Sequence, residues 1–370
     1  MHPIKCRVQS VNVVGDGMTK PCLAVGSLGG TITMTRDDGD GRGVTPSLTV
    51  ADLLAAVPGL ANSTELLTRT LATAPGASLG FADVLAAMDW ARQAVDDGAA
   101  AAVLVQGTDT LEETSYLLDL HWDREQPLVL TGAMRSPRQP GADGPANILA
   151  ASAVATAPSS RGLGVLVTIN DEVHAARRVR KSDATAPDAF TSAPFGPLAR
   201  IHEGAVVYAN RPRRWAALPR PTGSHVPRVA LLEASLGDDG ALLEAVCDAG
   251  YDGVVLSAFG AGHVSATMAD AVSAAVEHVP VLLTSRTGSG SVLSGTYGFP
   301  GSEQDLLARG VVSAGWLDAH KARILLWSLI ATGSPLRRIR EVVAARGGHP
   351  GGPGSALDST MDRWRKRDSQ

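Results

Sequence analysis

Two threonines in this chain follow short apolar runs and are wrapped in glycine: Thr31 in "GSLGGTIT" and Thr108 in "VLVQGTDTLEET". A hydroxyl on a tight turn after a buried strand is where a nucleophile belongs, because open α/β sheets bind ligands at the carboxyl ends of their strands. Gly29 and Gly30 give the chain room ahead of Thr31, and Gly107 does the same ahead of Thr108. Backbone N–H groups in such turns can hold a developing negative charge. The run Thr108, Asp109, Thr110, Glu112, Glu113 and Thr114 also has a structural reading. Thr and Asp cap helices, and acids in the first turn suit the helix dipole.

Of 33 basic residues only Lys5, Lys20, Lys181, Lys321 and Lys366 are lysine. Lys181, in "RRVRKSDAT", reads either as a surface residue of a basic stretch or as a base. Lys can release its proton when buried, whereas Arg stays charged. A third turn lies in "LVLTGAMRSPRQPGADGPANILAA", residues 128–151, where a long polar connection joins strand to helix. There Asp143 and Asn147 read as helix-start residues, and Arg135 is expected to meet nearby acids. Neither "GSLGG" nor "AFGAGHV" has the G-x-G-x-x-G spacing of a dinucleotide site.

These turns need a frame. Short apolar runs predict strands near 22–27, 65–71, 101–106, 127–131 and 163–169. Between them stand apolar residues at helical spacing: Val50, Leu53, Leu54 and Val57; Val84, Leu85, Met88 and Val95; Tyr116, Leu117 and Leu120. Thr49 with Asp52 predicts a capping box. This alternation is that of a parallel sheet with helices on both faces. The remaining strands are expected as a hairpin around Val173 to Val207. Residues 210–227, with four prolines and five Arg or His, read as a linker. A second alternation follows, with strands at 228–233, 253–257 and 280–285 and helices at 239–248, 264–278, 318–332 and 335–345. The expected plan is α/β: an N-terminal extension (1–20), a parallel-sheet N-terminal domain (21–209), the linker, a smaller α/β C-terminal domain (228–346), and a mobile tail (347–370) with one helical turn around Trp364.

The 370 residues are 44% hydrophobic and 19% charged, with net charge −4 and a pI near 6.1. That balance gives no electrostatic case for nucleic acid or an anionic membrane and points to a small molecule or another subunit. No apolar run approaches the roughly 18 residues of a membrane span, and "MHPIKCRVQS" lacks the apolar core of a secretory signal. A cytoplasmic protein is expected. Cys6, Cys22 and Cys247 are odd in number and far apart, suggesting neither a disulfide framework nor a metal cluster.

Taken together, "GGTIT", "QGTDTLEETSYLLDL", "LTGAMR" with "ADGPANILAA", "NDEVHAARRVRKSDATAPDAFTS" and "KARILLWSLI" resemble the bacterial L-asparaginase family in order and spacing, from about Pro21 to Val343. The resemblance implies a threonine-dependent amidohydrolase that converts L-asparagine to L-aspartate and ammonia, built as a homotetramer of intimate dimers with sites at subunit interfaces. By similarity Thr31 is the primary nucleophile, and Thr108, Asp109 and Lys181 form a second catalytic group. In that group the lysine, held by the acid, lowers the cost of deprotonating a threonine or an attacking water. Asp109 would also hold the substrate's α-ammonium group, with Gly30, Gly107 and the backbone at Ala133 around the amide. No metal or organic cofactor is implied.

The chain departs from that family in several places. Its first motif has Leu28 where threonine is usual. The tyrosine expected on the loop after the first motif falls at Gly43 or Val44. The family's serine and glutamine fall near Ala77 and Ser78, of which only Ser78 can still bond. A glutamate contributed across the dimer would fall near Gly295 to Tyr297, where no acid stands. Tyr297 is therefore expected to reach a neighbouring subunit's site, and His263, where an asparagine would lie, to contact substrate or satisfy a loop. Three readings follow: an asparaginase, a related amidohydrolase for glutamine or another carboxamide, and a non-catalytic sensor that keeps the fold.

Overall fold

Buried strands of a parallel sheet must be apolar on both faces, and the run Cys22–Gly29 (β1) obeys this: from Leu23 to Gly29 every residue is buried. The computed structural model describes residues 20–35, 45–57, 59–223 and 225–348. Cys6, Lys5, Gly43, Val44, Trp364 and Lys366, with most of the expected N-terminal extension and tail, lie outside them. The chain divides into two compact units, Met1–Ala217 and Leu218–Gln370.

In the first unit a two-residue ladder joins Met34–Thr35 (β2) to Thr45–Pro46 (β3). Helices Val50–Ala55 (α1) and Leu60–Ser63 (α2) then lead to the long strand Glu65–Ala74 (β4). The Thr49–Asp52 capping box forms as the sequence predicts, with Asp52 accepting from Thr49 N at 2.8 Å. Phe81–Asp96 (α3) buries Val84, Leu85, Met88, Ala91 and Val95 at three- and four-residue spacing. Ala101–Val105 (β5), Leu111–His121 (α4), Leu128–Thr131 (β6), Gly144–Thr156 (α5) and Val165–Ile169 (β7) complete the alternation.

Eight strands form one sheet. From one edge, β4, β1, β5, β6 and β7 run parallel. Glu172–Ala175 (β8) then adds antiparallel to β7, and Ala199–His202 (β11) and Ala205–Tyr208 (β12) close the far edge. The chain leaves β1 for β4 on one side and returns to β5 on the other. The switch point of this sheet is therefore between β1 and β5, where α/β folds open a ligand crevice.

The expected hairpin around Val173 to Val207 is only partly present. A tight hairpin does join β11 and β12 through Glu203 (φ 50°) and Gly204 (φ 78°), the two positive φ values that a twist-matched two-residue turn requires. Between β8 and β11, however, the chain leaves the sheet and forms its own ribbon from Arg180–Lys181 (β9) and Phe190–Thr191 (β10).

The second unit pairs Val229–Glu233 (β13), Gly253–Ala258 (β14), Val281–Ser285 (β15) and Val312–Ser313 (β16) in that order, all parallel. Helices Ala241–Asp248 (α6), Ala266–Val276 (α7), Glu303–Ala308 (α8), Ala319–Ala331 (α9) and Leu336–Gly347 (α10) accompany them. The helix α8 and strand β16 were not expected. Six and two residues long, they carry too little periodicity to be read.

Candidate active site

Register places the two threonine turns side by side. β1 and β5 pair in parallel from Leu23 with Ala101 to Ser27 with Val105, and each runs directly into its glycine turn. Gly30 adopts φ 89°, a conformation that L side chains rarely adopt, and a Cβ built there would lie 2.0 Å from Gly107 Cα. Only two glycines allow this approach, and each is followed directly by a candidate nucleophile. Gly76 joins them from the far end of β4. A Cβ on Gly76 would lie 3.2 Å from Gly107 O, and Thr110 Oγ1 donates to Gly76 O at 3.0 Å. That contact brings the short turn Gly76–Ser78, with its exposed Ser78, to the same sheet edge.

Thr108 is buried and opens a single turn of 3-10 helix that continues into α4. Its Oγ1 accepts a 3.0 Å hydrogen bond from Lys181 Nζ. Asp109 Oδ1 lies 3.6 Å from the same nitrogen, and the Asp109 side chain is largely exposed. The structure therefore brings together Thr108, Asp109 and Lys181, residues 73 positions apart at the extremes. Lys181 is thereby tied to a buried hydroxyl instead of standing free in its basic stretch. Gln106, fully buried, donates to Gly107 O and to Thr114 Oγ1 at 3.2 Å each, fixing the turn from beneath.

Thr31 begins a short turn held by Thr33, whose N–H and Oγ1 both donate to Gly30 O at 2.9 and 2.8 Å. Among the described residues Thr31 Oγ1 makes no hydrogen bond, and the loop that follows falls outside them.

The turn after β6 is clamped by an acid read from sequence only as a helix start. Asp143 caps α5, and its two carboxylate oxygens accept from Met134 N and Arg135 N, both at 2.9 Å. Asn147 donates to Gly132 O at 3.0 Å and to Asp143 at 3.1 Å. Ala133, between these anchors, is 1% exposed. Arg135 meets Asp143 through its backbone, while its guanidinium donates to Gly141 O.

His263 and Tyr297 belong to the second unit and meet there edge to face, ring centroids 4.8 Å apart; Phe299 flanks His263 at 5.0 Å. Tyr297 is 43% exposed. The stretch Gly295 to Tyr297 contains no acid in sequence, yet the fold supplies one. The fully buried Glu303 accepts from Thr296 N and Tyr297 N at 2.8 and 2.7 Å, and its other oxygen lies 3.1 Å from His263 Nε2. Burial opposes ionisation of Glu303, but the two N–H donors and His263 outweigh it, so the carboxyl titrates below its usual range. Sequence reasoning missed Glu303 because no local pattern marks it.

Two α/β units, the first with two glycine-borne hydroxyls and a lysine at its switch point, define a fold and site that family comparison can name. Residues 23–214 match the family model described as "Asparaginase, N-terminal", and residues 228–343 match "Glutaminase/Asparaginase C-terminal domain". The chain belongs to the asparaginase family. It is 35% identical over 329 residues to a probable L-asparaginase of Deinococcus radiodurans, covering 87% of this chain and 97% of that one. A probable periplasmic L-asparaginase of Haemophilus influenzae is 38% identical over 229 residues, 60% of this chain and 64% of that one. The crystal structure of a probable cytoplasmic L-asparaginase from Campylobacter jejuni superposes with a TM-score of 0.80 at 28% identity, covering 88% of this chain and 99% of that one. Among the described residues no helix is long and apolar enough to cross a membrane.

Proposed function

We propose that this chain hydrolyses the side-chain amide of L-asparagine to L-aspartate and ammonia by threonine nucleophilic catalysis. The observation that carries this reading is the 3.0 Å hydrogen bond from Lys181 Nζ to Thr108 Oγ1, one residue beyond the glycine that touches the Gly30 turn. In this reading Thr31 Oγ forms a bond to the carboxamide carbon, and its proton leaves through the Thr108 and Lys181 pair. The tetrahedral intermediate collapses as the nitrogen takes up a proton and departs as ammonia, leaving an acyl-threonine ester. Water, giving up its proton to the same Thr108 and Lys181 pair, then cleaves the ester and restores the hydroxyl.

Asp109 holds the α-ammonium group of the substrate, and Gly30, Ser78, Gly107 and Ala133 surround its remaining atoms. His263 and Tyr297 of a neighbouring subunit complete the pocket in a homotetramer. We place the catalytic domain at 21–209, the linker at 210–227 and the C-terminal domain at 228–346, in the cytoplasm. Glutamine is the second reading, supported by the joint description of the matched C-terminal domain. One methylene separates the two substrates, and that discriminates by only about 1–3 kcal/mol.

The test is ammonia release from L-asparagine, L-glutamine and D-asparagine by the parent and three variants. Thr31→Ala and Thr108→Ala should each lower kcat on the order of 10³-fold or more while remaining folded. Tyr297→Phe should lower activity without unfolding the protein, and unchanged kinetics would remove Tyr297 from the site. Activity retained in both threonine variants would overturn the mechanism. A parent inactive on all three substrates would favour the sensor.

A further inference from the structure

Lys181 does not stand on the main sheet. It occupies the two-residue strand β9, which pairs only with β10, Lys181 opposite Phe190. One residue on, Ser182 N donates across the ribbon to Ala189 O at 2.7 Å. The N–H of Lys181 instead leaves the ribbon and needs an acceptor elsewhere. It finds Glu112, whose Oε2 accepts it at 2.6 Å. Glu112 is 9% exposed and sits in the first turn of α4, four residues beyond Thr108 on a continuous helical segment.

One lysine is thus gripped at both ends by one element. Its backbone nitrogen is held by Glu112, and its ammonium end lies on Thr108 Oγ1. We propose that Glu112 is a positioning residue, which sets how the Lys181 side chain reaches Thr108 by fixing the β9–β10 ribbon against α4. This rests on the reading of Lys181 as part of the catalytic group. The carboxylate acts here as a hydrogen-bond acceptor for a main-chain N–H, a duty that a glutamine oxygen can take over and an alanine cannot.

A ribbon free to shift by about 1 Å displaces the lysine amine from the hydroxyl, and misplacement of that size costs up to about 10²-fold in rate. It leaves the other substrate-binding groups in place. Glu112→Ala should therefore lower kcat about tenfold to a hundredfold with KM within about twofold of the parent. Glu112→Gln should recover kcat to within about threefold of the parent, because it restores the acceptor.

A second readout does not depend on turnover. Acetylation of Lys181 by acetic anhydride, followed by mass spectrometry, should run several-fold faster in Glu112→Ala than in the parent, and at the parental rate in Glu112→Gln. Parental kcat and labelling in Glu112→Ala would overturn the proposal. A glutamine variant as impaired as alanine would overturn it too, by showing that the charge and not the acceptor matters. A parent that releases no ammonia but shows the labelling pattern would sink the catalytic reading of Lys181 while leaving the anchor intact.

Discussion

Gly30 and Gly107 stand so close that a Cβ on Gly30 would lie 2.0 Å from Gly107 Cα. The two substitutions at this contact separate geometry from strain. Gly107 has φ −66° and ψ 145°, values any residue adopts, so alanine there meets no backbone strain but does meet crowding, with Gly30 Cα and Gly76 N at 3.0 Å. The turns must part by a few tenths of an ångström. Gly107→Ala should fold, lose about 1–3 kcal/mol to overpacking, and lose kcat about tenfold as the two hydroxyls separate. Gly30→Ala adds a left-handed φ of 89° to a backbone clash that no side-chain motion relieves. It should cost more than about 3 kcal/mol, with little soluble protein. Thermal denaturation and ammonia release on both variants decide the matter, and full kcat in Gly107→Ala would show that the separation of the turns is irrelevant to rate.

Asp143 should control the Ala133 turn in a graded way. Its two oxygens hold Met134 N and Arg135 N, and an asparagine can hold only one of them. A half-buried N–H left without an acceptor costs about 1–3 kcal/mol. Asp143→Asn should lower stability by roughly that amount, and Asp143→Ala by more, since Asn147 also loses its contact at 3.1 Å. If the backbone at Ala133 faces the scissile amide, kcat falls in the same order. Equal kcat in all three proteins would detach this turn from the reaction.

What could be read from sequence was what is local. The strand that ends in glycine and a hydroxyl occupies consecutive positions at Thr31 and at Thr108, and the Thr49–Asp52 box spans four residues. The apolar spacing that predicted α3 and α4 is local as well. What escaped is long in sequence. Glu112 meets Lys181 across 69 positions, and Glu303 reaches His263 across 40. In the sequence Glu112 looks like any acid in a helix's first turn, because the same charge serves the dipole and the distant N–H alike. Gly76 showed nothing of its contact with Gly107 because that approach belongs to the sheet, which sets β4 and β5 on opposite sides of β1. The β9–β10 ribbon was folded into a single expected hairpin, since strands two residues long leave no period to follow.

His174 ties that ribbon to the main sheet and makes it sensitive to acid. The imidazole is fully buried on β8, and its Nδ1 shares a 2.9 Å hydrogen bond with Ser192 Oγ, just beyond β10. Nε2 faces Glu172 at 3.5 Å, too long for a good hydrogen bond, and Glu172 is itself paired with Arg200. Burial above all, with the positive charge of Arg200, pushes the imidazole pKa down from 6.5 to about 4. The unfolded chain therefore binds a proton below pH 6.5 that the native chain refuses until about pH 4. Stability rises with pH across that window, and the loss on acidification reaches about 3 kcal/mol at its lower end. His174→Gln removes this titration, so the stability of the parent minus that of the variant should fall steadily from pH 7 to pH 4.5, whatever its value at neutral pH. Denaturant unfolding at four or five pH values reads it directly, because the remaining titratable groups titrate alike in both proteins. Parallel curves would mean that His174 takes up its proton in the native state as readily as in the unfolded one.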